Sequence, residues 1–135
     1  MKYLLDTNIC IYIIKQKPAD VLARFQSHPP TDISISSITI AELEYGACKS
    51  QQVDKNRAAL QQFLLPLTII DFNAEATQIY GQVRAELSRQ GCIIGAMDLL
   101  IAAQALSQDL TLVTNNTHEF SRVPGLKLEN WVDQS

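Results

Sequence analysis

Three carboxylic acids stand in separate segments of the chain, each at a point where apolar and polar sequence meet. Asp6 closes a short apolar run, Glu42 lies in a helical pattern, and Asp98 precedes the apolar segment 99–106. Acids that converged from three segments would repel one another unless a cation lay among them. Mg²⁺ and Mn²⁺ prefer oxygen ligands and are usually held by a few carboxylates with water and phosphate. The pattern therefore predicts metal-assisted hydrolysis of a phosphodiester.

Each acid also has a purely structural interpretation. Asp6 would cap the helix that follows it, and Asp98 would favour the dipole of its own helix. Glu42 would close a capping box with Thr39, and taken alone it fits that role better than a metal site. All three at one edge of a sheet favour the functional interpretation, because an unpaired acid in apolar surroundings is costly.

Strand and helix patterns alternate along the chain. Apolar and β-branched runs predict strands at 3–6, 32–36, 67–71 and 111–114, with a fifth, edge strand at 126–129. Capping residues, Pro and Gly mark the ends of the predicted helices, which span 8–16, 19–26, 37–46, 56–65 and 73–90. A further helix is predicted from the turn that contains Asp98 to residue 106. Strands separated by helices indicate βαβ units, which give an α/β fold with a mostly parallel sheet of four to five strands and helices on both faces.

The predicted topology brings the acids to one place. Ligands of open parallel sheets bind outside the carboxyl ends of the strands. Asp6 and Glu42 reach that edge directly, and Asp98 reaches it because βαβ geometry requires its helix to begin there. Glu119, in the polar run after the fourth strand, is equally well a fourth carboxylate or an acid at a helix start. Around these acids we expect polar side chains that position substrate or water, namely Thr7, Asn8, Thr114, Asn115 and Asn116.

The chain carries 11 basic and 14 acidic side chains, for a net charge of −3. This balance argues against a protein that coats nucleic acid by bulk electrostatics. It leaves a nuclease open, since a bound metal restores positive charge where the phosphate lies. Four cations near helix ends are candidates for an RNA groove, although ordinary solvated helix ends explain each of them as well: Lys15, Lys49, Lys55 and Arg57.

The remaining composition bounds the location and the number of domains. Cys10, Cys48 and Cys92 form no CxxC pair and fall in apolar or small-residue stretches, which predicts buried thiols without a redox or zinc role. No apolar run approaches the roughly 18 residues of a membrane span. Asp6 leaves no room for the apolar region of a signal peptide. We therefore expect a cytoplasmic protein with no membrane partner, and a single domain over 1–135.

Four segments resemble, in order and across the whole chain, the PIN-domain ribonucleases and among them the VapC toxins of bacterial toxin–antitoxin pairs: 4–8, 37–46, 94–103 and 112–120. The resemblance implies an α/β/α sandwich, a Mg²⁺ or Mn²⁺ site on Asp6, Glu42 and Asp98, and cleavage of single-stranded RNA. The last segment is similar to the subgroup that cuts initiator tRNA in the anticodon stem-loop. The resemblance also implies homodimers, and higher complexes with an inhibitory VapB-type antitoxin whose tail enters the active cleft.

Two positions depart from the family pattern. Many PIN domains carry Asp where Asn116 stands, and Met97 occupies a position that is often polar in the subgroup. An RNA-processing nuclease without a toxin role and a non-catalytic RNA-binding module remain alternatives on the same scaffold, although the second would be expected to lose the acids. A response-regulator receiver is the rival from another class, since Asp71 ends the third strand. A receiver needs paired acids after its first strand, and Asp6 stands alone.

Overall fold

The structure, a computed structural model, describes residues 1–132. The last three residues of the predicted domain, 133–135, lie outside the described residues. Five strands form one sheet: β1 (Tyr3–Leu5), β2 (Ile33–Ser36), β3 (Thr68–Ile70), β4 (Thr111–Val113) and β5 (Leu128–Glu129). Their spatial order is β3-β2-β1-β4-β5, and every pair of neighbours is parallel. The predicted parallel sheet and its edge strand near 126–129 are therefore confirmed.

Helices fill the connections between the strands. They are α1 (Thr7–Lys15), α2 (Ala19–Gln26), α3 (Ser37–Cys48), α4 (Val53–Leu64), α5 (Ala74–Arg89), α6 (Ala96–Ser107) and α7 (Thr117–Phe120), with a 3₁₀ turn at Pro30–Asp32. The predicted helices agree with α1 to α6 within about one turn. The short helix α7 replaces what the sequence indicated only as a polar run.

The sheet separates two apolar cores, and the alternation of side chains along β1 shows how. Tyr3 and Leu5 point into one core together with residues of α1, α2 and α4. Leu4 points into the other core with residues of α5 and α6. Successive residues of a strand face opposite sides of a sheet, so β1 contributes to both layers. This arrangement confirms the three-layer α/β/α sandwich.

Helix α6 is the most deeply buried helix of the second core. Its buried positions include leucine, isoleucine and three alanines, which lie on several sides of the helix. Small alanine side chains allow close approach, and α5 packs along this helix. Gly95 precedes α6 as its N-cap, so Asp98 lies in the first turn as predicted. A helix with this much buried apolar surface holds the position of its first turn firmly.

Two local predictions are wrong. The capping box of Thr39 and Glu42 does not form, because Ser36 caps α3: its Oγ accepts a hydrogen bond from the N–H of Ile38 at 3.0 Å. The side chain of Glu42 is therefore available for another contact. The prediction of a buried thiol is wrong for Cys48, which is exposed in the last turn of α3 next to the buried Ala47. Cys10 is buried, as predicted.

The third thiol, Cys92, is only half-buried just beyond α5, so the prediction of buried thiols is wrong there too. It lies in the connection to α6 and packs against the edge of the second core. Within residues 1–132, no helix is both long and apolar enough to cross a membrane.

Candidate active site

Asp6 lies directly after β1 and is held at both of its oxygens. Oδ1 accepts the backbone N–H of Thr7 at 2.8 Å, which caps α1. Oδ2 accepts the hydroxyl of Thr114 at 2.8 Å, across to the residue that follows β4. Only 6% of Asp6 is exposed. The capping interpretation of Asp6 is therefore confirmed but incomplete, because the neighbouring strand fixes its second oxygen.

Thr7 connects this carboxylate to the next one. Its hydroxyl donates a hydrogen bond to Oε1 of Glu42 at 2.8 Å, which joins the first turn of α1 to α3. Glu42 is half-buried, and the contact orients its carboxylate toward the end of β1. Asn8, the next residue of α1, is exposed in the first turn. The sequence placed Thr7 near the acids but gave no sign of its contact with Glu42.

Glu119 holds the beginning of α6 in place. Its Oε1 accepts the N–H of Gly95 at 3.0 Å, and its Oε2 accepts the amide of Asn116 at 2.6 Å. Asp98 shares a further hydrogen bond with Glu119, so the two carboxyl groups lie side by side. Asn116 therefore donates its amide to a carboxylate of the site.

Mutual repulsion and burial shift the pKa values of these acids. Burial raises the pKa of Asp98 to about 7, helped by the hydrogen bond it shares with Glu119 and by the charges of Glu119, Asp6 and Glu42. Burial also raises the pKa of Asp6, although its two hydrogen bonds oppose that change. The N–H of Gly95 lowers the pKa of Glu119, so Asp98 is the member of the pair that holds the proton. The four predicted acids thus lie within electrostatic range of one another.

The residues after β4 complete the polar surroundings. The hydroxyl of Thr114 donates to Asp6 and accepts the N–H of Asn116 at 3.0 Å. Asn115 donates its amide to the hydroxyl of Tyr12 at 3.0 Å, which ties the end of β4 to α1. Sequence analysis missed Tyr12, and its hydroxyl within an otherwise aliphatic stretch of α1 was the available signal.

The four predicted RNA-binding cations lie on α1, at the end of α3 and on α4, in different surroundings. Lys15 lies at the end of α1 beside a groove that also reaches Glu42. Arg57 pairs with Glu44 at 3.6 Å. Lys49 lies over the ring of Tyr45, and Lys55 is exposed on α4. Among residues 1–132, no ion pair involves any of the four acids of the site.

The residues present fit a hard divalent cation. All the candidate ligands are carboxylate oxygens, and no cationic side chain of the described residues pairs with them. In the described part of the chain, no three His, Cys, Asp or Glu side chains are close enough to form a preassembled metal site. Without a cation, burial and the neighbouring acids raise the pKa of Asp98, so this carboxyl keeps its proton beside Glu119.

A family model described as PIN domain matches residues 3–126. Ribonuclease VapC2 of Haemophilus influenzae is 48% identical over 132 residues, which cover 98% of this chain and 99% of that protein. The tRNA(fMet)-specific endonuclease VapC of Shigella flexneri is 48% identical over 131 residues, which cover 97% of this chain and 98% of that protein.

Solved structures agree with the sequence relatives. VapBC2 of Rickettsia felis, bound to a DNA fragment from its promoter, superposes with a TM-score of 0.91 at 48% identity, covering 98% of this chain and 100% of the other. DNA-bound VapBC of Salmonella typhimurium gives a TM-score of 0.93 at 43% identity, covering 98% of this chain and 99% of the other.

Proposed function

Because this chain belongs to the PIN-domain family and, within it, to the VapC ribonucleases, we propose that it is a Mg²⁺- or Mn²⁺-dependent endoribonuclease that cuts initiator tRNA. The observation that carries the proposed chemistry is the convergence of four carboxylates from the end of β1 and from α3, α6 and α7, none of which forms an ion pair among the described residues. Arg122 lowers the pKa of Glu119 through its charge without forming an ion pair. Such a cluster is stable only when protonated or when it binds a cation.

In this proposal Asp6, Glu42 and Asp98 hold the metal. A divalent cation held there would polarise the phosphodiester and lower the pKa of a water bound to it. The hydroxyls of Thr7 and Thr114 fix the orientation of the carboxylates that they contact, which keeps the site open for a cation at small entropic cost. Each of the two threonine contacts joins a different pair of elements, so the site depends on correct docking of α1, α3 and β4.

Glu119 has a different part in this arrangement. Both of its oxygens accept hydrogen bonds from protein groups, Gly95 and Asn116, which supports a positioning role. It fixes the first turn of α6 and the direction of Asp98. A fourth catalytic carboxylate is the alternative for Glu119. A direct role predicts that Glu119→Gln lowers kcat at every metal concentration, whereas a positioning role predicts recovery at high Mg²⁺.

The activity is tested by cleavage of total cellular RNA by the purified protein with Mg²⁺ or Mn²⁺. We expect Asp6→Asn and EDTA each to reduce cleavage at least about 100-fold, the loss typical of an essential catalytic group. Asp71→Asn is a matched control, because Asp71 is an exposed acid that follows β3 at the same edge of the sheet. Cleavage that survived Asp6→Asn would contradict the proposed metal site. RNA binding without cleavage would favour the non-catalytic module.

The choice of initiator tRNA is supported by the 48% identical relative that is named for this specificity and by the resemblance of segment 112–120. We expect cuts in the anticodon stem-loop of initiator tRNA, with elongator methionine tRNA left intact under the same conditions. Mapping of fragment ends measures this directly. Cuts distributed over many RNAs would favour an RNA-processing nuclease without a toxin role.

An inhibitory VapB-type antitoxin is the protein partner that we propose. An apolar groove of about 350 Å³ lies between α1, α3 and α4, with Glu42 among its lining residues. A peptide bound there would extend toward the site. Gly46 lines the groove, and a Cβ atom added to it meets no atom within 4 Å.

Gly46→Phe places a bulky ring at the groove from a position where a Cβ meets no neighbouring atom. We expect the variant to keep its ribonuclease activity and to lose inhibition by a co-purified antitoxin. Gly81→Phe is the matched control, because Gly81 lies in α5 with equally open surroundings. Full inhibition of Gly46→Phe would place the antitoxin elsewhere.

We further propose a cytoplasmic, single-domain protein that forms homodimers and higher toxin–antitoxin complexes. The free thiols of Cys10, Cys48 and Cys92 suit a reducing compartment. The relatives of known structure superpose over nearly the whole chain as members of VapBC complexes. Light scattering coupled to size-exclusion chromatography measures the dimer, and a constant monomer mass at all concentrations would contradict it.

A further inference from the structure

Tyr45 is the only aromatic residue among the exposed large apolar side chains of residues 1–132. It lies in the third turn of α3, and 67% of it is exposed. A single exposed apolar side chain is common on protein surfaces and requires no function by itself. What distinguishes Tyr45 is its position relative to the site.

Tyr45 lies between an acid of the site and a cation at the C-cap of the same helix. Glu42 precedes it by three residues and Lys49 follows it by four, so the three side chains line one face of α3. The ammonium of Lys49 is 5.0 Å from the centre of the Tyr45 ring. We call Glu42, Tyr45 and Lys49 the α3 stripe. It spans about 10 Å along the helix axis, at about 1.5 Å per residue.

The other tyrosines of the chain are committed to the fold. Tyr3 is buried against the rings of His28 and Trp131. The hydroxyl of Tyr12 accepts a hydrogen bond from Asn115, and that of Tyr80 accepts one from Arg84. The hydroxyl of Tyr45 has no such partner among the described residues, and its ring packs in neither core.

Single-stranded RNA is recognised mainly through unpaired bases that stack on aromatic rings and through cations that contact phosphates. Lys49 forms no ion pair with a carboxylate in the described part of the chain, so its charge is available for a phosphate. Local contacts of this kind matter in a protein of net charge −3, which lacks a strongly basic surface.

We propose that Tyr45 is a stacking platform for one unpaired nucleobase beside the cleaved phosphodiester, and that Lys49 contacts a phosphate flanking that nucleotide. The inference rests on the proposed ribonuclease function. It adds a nucleobase-binding residue to the site, since none of the acids and threonines described above offers a ring on which a base can stack.

Binding of a fluorescently labelled single-stranded RNA, measured by anisotropy in EDTA, tests the proposal without cleavage. We expect Tyr45→Ala to weaken binding about 5- to 150-fold, the range that corresponds to loss of one stacked base. Tyr45→Phe should bind like the wild type, because stacking uses the ring. Leu65→Ala is the matched control, since Leu65 is an exposed apolar residue at the end of α4.

Abasic substitutions identify the contact. A series of RNAs, each lacking one base, should include one position at which wild type and Tyr45→Ala bind equally, because the stacked base is already missing. The slope of log affinity against log salt concentration measures the number of phosphate contacts. Lys49→Gln should reduce this slope by about the amount that one phosphate contact contributes, whereas Tyr45→Ala should leave it unchanged.

The outcomes separate this inference from the proposed function. A wild-type protein that cleaves RNA, with a Tyr45→Ala variant that binds within about twofold of it, would overturn the stacking role alone, since one stacked base contributes more than that. The stacking role is also overturned if Tyr45→Ala converts a dimer into a monomer, because the ring then contacts a second copy of the chain. A wild-type protein that neither binds nor cleaves RNA would overturn both.

Discussion

Replacement of Asp98 by Asn should stabilise the metal-free protein while it removes the response to metal. Asp98 has a pKa of about 7 in the folded chain, compared with 3.8 for a free aspartate. A difference of this size corresponds to about 4 kcal/mol for a fully buried group. Because Asp98 is only half-buried, solvent screening reduces the contribution to stability to roughly 1–2 kcal/mol.

The sign of this effect follows from proton binding. The folded state binds a proton at Asp98 more tightly than the unfolded chain does. Its contribution to stability is therefore fully present below about pH 4 and is lost as the pH rises through about 7. The neutral amide introduced by Asp98→Asn imitates the protonated acid at every pH. The variant should be about 1–2 kcal/mol more stable than the wild type at pH 8, and this advantage should shrink toward zero near pH 4.

Urea denaturation in EDTA at pH 4, 6 and 8 measures the difference directly. Addition of Mg²⁺ at pH 8 should raise the stability of the wild type by mass action and leave Asp98→Asn unchanged. Asp71→Asn, at an exposed position outside the cluster, should change little at any pH. The reasoning is refuted if Asp98→Asn is less stable than the wild type at pH 8, or if its advantage does not depend on pH.

Three further changes test individual contacts of the site and the fold. Thr7→Val removes the hydroxyl that donates a hydrogen bond to Glu42. It should lower metal affinity or activity about 10- to 100-fold, measured by Mg²⁺ titration of cleavage, with little change in Tm. Unchanged activity would show that this contact is dispensable. Thr114→Val leaves a buried carboxylate oxygen without its donor and should cost about 1–3 kcal/mol in urea denaturation, with Thr114→Ser as the control. Trp131→Ala removes a buried ring stacked on His28. It should lower the free energy of unfolding by about 3–5 kcal/mol, measured by thermal unfolding, and a decrease under about 1 kcal/mol would mean that the last described segment packs weakly.

Local sequence patterns predicted the order of strands and helices well because apolar periodicity and caps mark most of the boundaries. The capping box shows where such patterns fail. Ser36 and Thr39 are both good caps, and only tertiary structure chooses between them. Ser36 pairs with Ile70 in the sheet, so β2 must continue to residue 36 and α3 begins immediately after it. Sequence spacing alone contains no information about that register.

The candidate site was predictable in outline and not in detail. The topology of a parallel sheet places Asp6, Glu42 and Asp98 at one edge, so their convergence follows from the order of the elements. The hydrogen bonds that orient them join residues far apart in the chain, as Thr7 and Glu42 do across 35 positions. Glu119 was ambiguous because its partner, a backbone N–H at Gly95, has no sequence signature.

The central position of β1 has a consequence for the chain during its synthesis. β1 lies between β2 and β4, and Thr114 meets Asp6 across 108 positions. At about 5–20 residues per second, a ribosome needs roughly 5–20 s to add the segment that separates them. Until α6 and β4 have emerged and docked, Asp6 has neither the hydroxyl donor Thr114 nor the neighbouring carboxylate of Asp98. The acid cluster is therefore assembled only late in synthesis, after most of the chain has been made.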